Sequence, residues 1–138
     1  RVLREFITNH EGAHLALGHT RLLTIGKWMG AGFVAALLGV TAAISTRSPV
    51  VAYAALAVGA WVEARLGLFT LWLRAKCEQE ADQVAASVMV PHHFASAVKT
   101  MWTVEAPKGS YERWERGVIY GAGWTDRLNR SGLSAVDA

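Results

Sequence analysis

His10, Glu11 and His14 stand in the spacing H-E-x-x-H. On a helix, positions i and i+4 share a face about one turn apart, so both imidazoles can reach a single metal ion. Glu11 follows the first histidine, where its carboxylate can take a proton from a water polarised by that ion. Zinc suits such a set, because it lowers the pKa of a ligated water to about 7. The plain alternative is a polar helix face. Against it, Val2, Leu3, Phe6, Ile7, Leu15 and Leu17 give the flanks helical apolar spacing. Polar groups on a mostly buried helix are costly unless something pairs them.

Two histidines leave a catalytic zinc one protein ligand short. His19 comes five residues after His14, which on a continued helix is about 140° round and faces away from the pair. The better source is Cys77-Glu78-Gln79-Glu80-Ala81-Asp82, where Glu78 and Asp82 have i, i+4 spacing. One of these carboxylates can ligate zinc while the other accepts a hydrogen bond from a ligand histidine. Glu80 points elsewhere, toward solvent or an ion pair. The plain alternative is a charged helix face near Arg74 and Lys76. His92 and His93 follow Pro91 and read as exposed polar residues. Cys77 reads as a small buried residue.

These groups need helices to position them. Arg1 to about Thr20 reads as the motif helix. Trp28 to Thr46 is 19 residues without a charge, about the length that crosses a bilayer core, and rich in Gly and Ala. Arg47-Ser48-Pro49 reads as a turn. A second apolar block, Val50 to Leu73, contains Glu63 and Arg65. Residues 28–73 thus predict an apolar helical hairpin, with a buried hairpin of a soluble protein as the alternative. Trp28 and Trp72 would lie at one end of it, flanked by Lys27, Arg74 and Lys76, with Arg47 in the far turn. The positive-inside rule then puts both ends, and the motif helix, on the cytoplasmic side. Leu73 to about Val90 is expected as a separate helix carrying the carboxylates. Short helices are expected over 95–102, 111–118 and 125–130. No strand is expected. The fold class is all-α, in one domain over 1–138.

Composition narrows the function. The chain has 138 residues and a net charge of +3 from 14 basic and 11 acidic groups. No basic stripe with interleaved aromatics occurs, which speaks against nucleic acid. The modest basic excess beside apolar segments fits anionic lipid. A single cysteine rules out an internal disulfide and a cysteine metal site. No glycine-rich phosphate loop follows a strand. The chain opens on Arg1 in helical pattern with no signal peptide, so an N-terminal piece is expected to be missing.

H-E-x-x-H, an apolar hairpin and then E-x-x-x-D resemble the HtpX and CAAX prenyl protease family of membrane zinc metallopeptidases. The further histidine in His10-Glu11-Gly12-Ala13-His14-Leu15-Ala16-Leu17-Gly18-His19 is also similar to that family. The resemblance implies Zn²⁺ held by His10, His14 and Glu78, Glu11 as general base and Asp82 as support for a ligand. It covers about residues 4–20 and 74–90. The family places a histidine shortly before an arginine to hold the oxyanion. Arg127 fits the arginine, but no histidine lies in 119–124, and Tyr120 is the substitute donor. BlaR/MecR-type sensor peptidases share the layout. Residues 78–91 and Asp126-Arg127-Leu128 also resemble the soluble, repressor-cleaving ImmA/IrrE family.

The sequence therefore predicts an all-α zinc endopeptidase embedded in the cytoplasmic membrane, acting on polypeptides from the cytoplasmic side. A soluble repressor-cleaving peptidase and a non-catalytic sensor module are the rivals. Oligomeric state is left open.

Overall fold

Helix α1 runs over Val2–Ala16 and stops earlier than its pattern predicts. Gly18 ends it. Its backbone sits at φ +69°, in the left-handed region that glycine enters without a Cβ clash. Leu17 N–H donates to the Ala13 carbonyl at 2.9 Å and Gly18 N–H to that of Leu15 at 3.2 Å. This closes the last turn and redirects the chain before His19. The computed structural model describes residues 1–20 and 31–133. Lys27 and Trp28, half of the expected interfacial belt, lie outside the described residues.

Six helices and no strand occur among the described residues. After α1 come α2 (Ala31–Thr46), α3 (Pro49–Val88), α4 (Pro91–Val104), α5 (Ser110–Tyr120) and α6 (Trp124–Arg130). The predicted break near Leu73 is absent. The second apolar block and the carboxylate segment form one helix of 40 residues. The apolar-to-polar change there is one of composition, and no proline interrupts the backbone until Pro91. Pro91 then opens α4 at its first turn, where its missing N–H costs nothing. The three short C-terminal helices each extend slightly beyond their predicted bounds.

The chain divides into two compact units, Arg1–Leu22 with Leu71–Ala138, and Leu23–Thr70. In the first, α1 packs on α4, α4 on α6, and α5 on α6. Phe6, Ala85, Met89, Phe94, Val98 and Leu128 form its core. Phe6 meets Phe94 edge to face at 5.5 Å between centroids. Full burial of Phe6, Phe94 and Leu128 contributes about 2 kcal/mol each. This anchors the face of α1 that also carries His10.

In the second unit, α2 and the N-terminal part of α3 meet through small residues. A Cβ on Gly59 would fall 2.6 Å from the Gly32 carbonyl oxygen and 2.7 Å from Ala36 Cβ, so only glycine allows this approach. A Cβ on Gly39 would overlap that of Ala55. The turn between the helices closes with Ser48 N–H on the Ala43 carbonyl, and Arg47 takes φ 53° there. Glu63 accepts a hydrogen bond from Phe33 N–H at 3.1 Å, satisfying one of the free donors in the first turn of α2. Arg65 lies over the Trp61 ring. The two charges in the apolar block thus have local partners. Gly59→Val is expected to destabilise this packing by about 1–3 kcal/mol, read as a lower melting temperature in detergent.

Candidate metal centre

Three side chains from two helices converge. His10 and His14 project from one face of α1, and Glu78 from α3. His10 Nε2 lies 3.1 Å from His14 Nε2 and 3.2 Å from Glu78 Oε2. His14 Nε2 lies 3.6 Å from Glu78 Oε1. A tetrahedral zinc with bonds of about 2.1 Å sets its ligand atoms about 3.4 Å apart. The triangle is thus the size that such an ion needs. Its donor set of two imidazoles and a carboxylate suits zinc, and a candidate donor atom from each of the three residues lies within 4.8 Å of the others.

Two chains of partners stand behind the histidines. Asp82, one turn beyond Glu78 on α3, places Oδ1 3.0 Å from His10 Nδ1. This is a charge contact, and His10 Nδ1 has no hydrogen-bond partner among the described residues. Arg127 of α6 grips Asp82 bidentately, Nε to Oδ2 at 2.6 Å and Nη2 to Oδ1 at 2.9 Å. Arg127 is 6 % exposed and its guanidinium also lies over the Tyr120 and Phe6 rings. The expected oxyanion arginine therefore commits two nitrogens to Asp82. Phe6 stacks on the His10 ring. Tyr120 Oη donates to Glu78 Oε2 at 3.0 Å, so the expected oxyanion donor rests on the expected ligand.

Behind His14 the structure corrects the sequence reading. His19 does not face away. Because α1 ends before it, its Nδ1 comes within 2.9 Å of His14 Nδ1, and its Nε2 within 3.0 Å of Glu80 Oε2. Glu80 is this partner's carboxylate. The signal in the sequence was Gly18, a helix-stopping residue just before the odd-spaced histidine.

Glu11 is exposed on α1 and lines a cleft of about 310 Å³ together with His10, Glu78, Tyr120 and Arg127. His92 and His93 start α4, in contact with each other and apart from the donor triangle. Cys77 is buried and free.

Charge balance follows this geometry. Burial alone would lower the His10 pKa, but the Asp82 and Glu78 carboxylates against its two ring nitrogens reverse that and raise it to about 9. Burial would raise the Glu78 and Asp82 carboxyls. Contact with His10, and with Tyr120 or Arg127 respectively, holds both below their usual values. Burial and the charges of His10 and His19 push His14 down, with Glu78 opposing. Burial also pushes the Tyr120 phenol up, so it remains a donor. In the metal-free protein His10 is therefore a cation between two carboxylates at neutral pH. Its raised pKa stabilises the metal-free fold fully below 6.5, and that stability is lost as pH rises through about 9. With chelator present, the melting temperature is expected to fall between pH 6.5 and 9.5. Metal affinity should change oppositely, rising about tenfold per pH unit toward pH 9 as that proton ceases to compete. Competition titrations read this directly.

The sequence profile of peptidase family M48 matches residues 4–129, most of the chain. The chain belongs to peptidase family M48. No match is found among curated proteins, and none among solved structures. As an M48 member the protein is a metallopeptidase, a hydrolase acting on polypeptides. The matched span contains all three residues of the donor triangle and reaches past Arg127. The HtpX and CAAX-type resemblance read from residues 4–20 and 74–90 agrees with this M48 assignment.

Proposed function

We propose that this M48 protein is a zinc-dependent endopeptidase embedded in the cytoplasmic membrane, with its site on the cytoplasmic side. The observation that carries the zinc reading is the donor triangle of His10, His14 and Glu78 at tetrahedral spacing. When bound there, zinc supplies a Lewis acid that polarises the scissile carbonyl and acidifies water. Glu11, open to the cleft, removes the proton of the attacking water and delivers it to the leaving amine. Tyr120 and Arg127 line the same cleft, where Arg127 Nη1, outside the pair with Asp82, is the N–H donor to the carbonyl oxygen as charge gathers on it, and Tyr120 joins it once its O–H turns from Glu78 to that oxygen. Asp82 holds His10 in place, and Arg127 holds Asp82.

The membrane reading rests on exposed apolar surface. Among the described residues, α3 alone is long and apolar enough to span a bilayer, and 6 % of its apolar window is buried. Phe33, Leu38, Ile44, Val50, Tyr53 and Trp61 of α2 and α3 are all more than 60 % exposed. In water such surface is a liability, and in lipid it is solvated. Trp72, Arg74 and Lys76 follow the apolar stretch and suit a cytoplasmic interface. We read the hairpin unit as an insertion within a single peptidase domain, since the other unit is built from the segments on either side of it.

Two measurements test this. Glu78→Gln is expected to weaken zinc at least 100-fold in a chelator competition, because an amide is a poor ligand for the ion. Unchanged affinity would remove Glu78 from the site. Detergent phase partition should carry the protein into the detergent phase. Recovery in the aqueous phase without detergent would favour a soluble repressor-cleaving peptidase.

A further inference from the structure

We propose that His19 and Glu80 form a hydrogen-bonded relay that fixes the tautomer and ring orientation of His14, so that His14 presents a lone pair on Nε2 to the metal. The inference rests on the zinc reading of the donor triangle. It assigns His19 as a positioning residue, with no contact to substrate required of it.

The donor and acceptor inventory gives the direction of the relay. An ionised Glu80 carboxylate only accepts, so His19 Nε2, 3.0 Å away, is the donor to it. A neutral imidazole that donates from Nε2 carries its lone pair on Nδ1. That atom lies 2.9 Å from His14 Nδ1, which must then be the donor. With its proton on Nδ1, His14 has its lone pair on Nε2, the atom facing His10 and Glu78 across the triangle. With His19 neutral, each link leaves one choice for the next, and the last choice is the form that can ligate. His19 is 1 % exposed, so water does not compete for either of its nitrogens. Its ring meets that of His14 edge-on at 71°, which limits rotation of both.

The relay also matches the arrangement behind His10, where Asp82 takes the same place. The two ligand histidines thus lean on carboxylates of one helix, His10 directly on Asp82 and His14 on Glu80 through His19. Only the end of α1 at Gly18 makes the second arrangement reachable.

The test uses the purified full chain, stripped of metal, and a zinc competition with a chromophoric chelator. His19→Ala is expected to weaken zinc about 10- to 100-fold, the usual effect of losing a partner behind a ligand histidine. His19→Asn should recover most of that, since its side-chain oxygen can replace Nδ1 as acceptor. Glu80→Ala, at a partly exposed position, should cost about tenfold and decides the matter if His19→Ala fails to fold. Nitrogen-15 spectra of the metal-free protein give a readout that a merely structural role would not move. His14 should show the Nδ1–H tautomer in the wild type and lose that preference in His19→Ala. If zinc affinity and the His14 tautomer are both unchanged in the folded variants, the relay is wrong and the metal centre stands. If the wild type itself binds no zinc, the metal centre falls and the relay with it.

Discussion

Glu11→Gln is expected to lower casein hydrolysis by about two to four orders of magnitude while zinc content stays at about one per chain. The substitution keeps side-chain shape and removes only the ability to accept a proton. Glu11 is absent from the donor triangle, so metal affinity should hold. It is exposed on α1 and makes no core contact, so stability should change by less than about 0.5 kcal/mol. Loss of activity with retained metal and fold therefore isolates the proton-transfer role. Equal hydrolysis by both forms would remove Glu11 from the mechanism. If both bind zinc and neither cleaves, the chain keeps the fold as a non-catalytic module.

Asp82→Leu is expected to destabilise the metal-free protein by about 3–5 kcal/mol, seen as a lower urea midpoint. Asp82 is 3 % exposed and answers the charge of Arg127, itself 6 % exposed. Removing the carboxylate strands a guanidinium in the interior, and His10 loses the nearer of its two acidic neighbours. Burial alone would lower the Arg127 pKa, but hydrogen bonds and charge from Asp82 raise it, so the cation persists. The double variant Asp82→Leu/Arg127→Met should regain much of the loss, because no charge is then left unpaired. It should not regain metal affinity, because His10 remains unsupported. A single variant as stable as the wild type would mean that the pair contributes nothing to folding.

Much of the fold and part of the centre could be read from residue order. His10 and His14, and likewise Glu78 and Asp82, obey one helical period, so their shared faces follow from spacing alone. The apolar hairpin is visible as a long stretch with few charges. What was hidden depended on where helices stop and on contacts between distant segments. The continuity of α3 was masked by a change of composition that leaves the backbone unaltered. The pairing of His19 with Glu80 was masked because a five-residue offset faces away only if the helix continues, and Gly18 stops it. The engagement of Tyr120 with Glu78 and of Arg127 with Asp82 joins residues 42 and 45 positions apart, and no local pattern reports such a contact.

The segments that flank the hairpin have a consequence for how the protein is made. His10 meets Glu78 across 68 residues of chain, and Asp82 waits for Arg127 a further 45 residues on. Chains emerge from the ribosome at about 5–20 residues per second, so the motif helix spends several seconds without its partners. The hairpin is complete before the carboxylates that follow it, and the carboxylates before the arginine that holds them. The complete centre thus waits until Arg127 has emerged. A peptidase assembled in this order stays without the salt bridge behind its first histidine until residues 10–127 have all emerged.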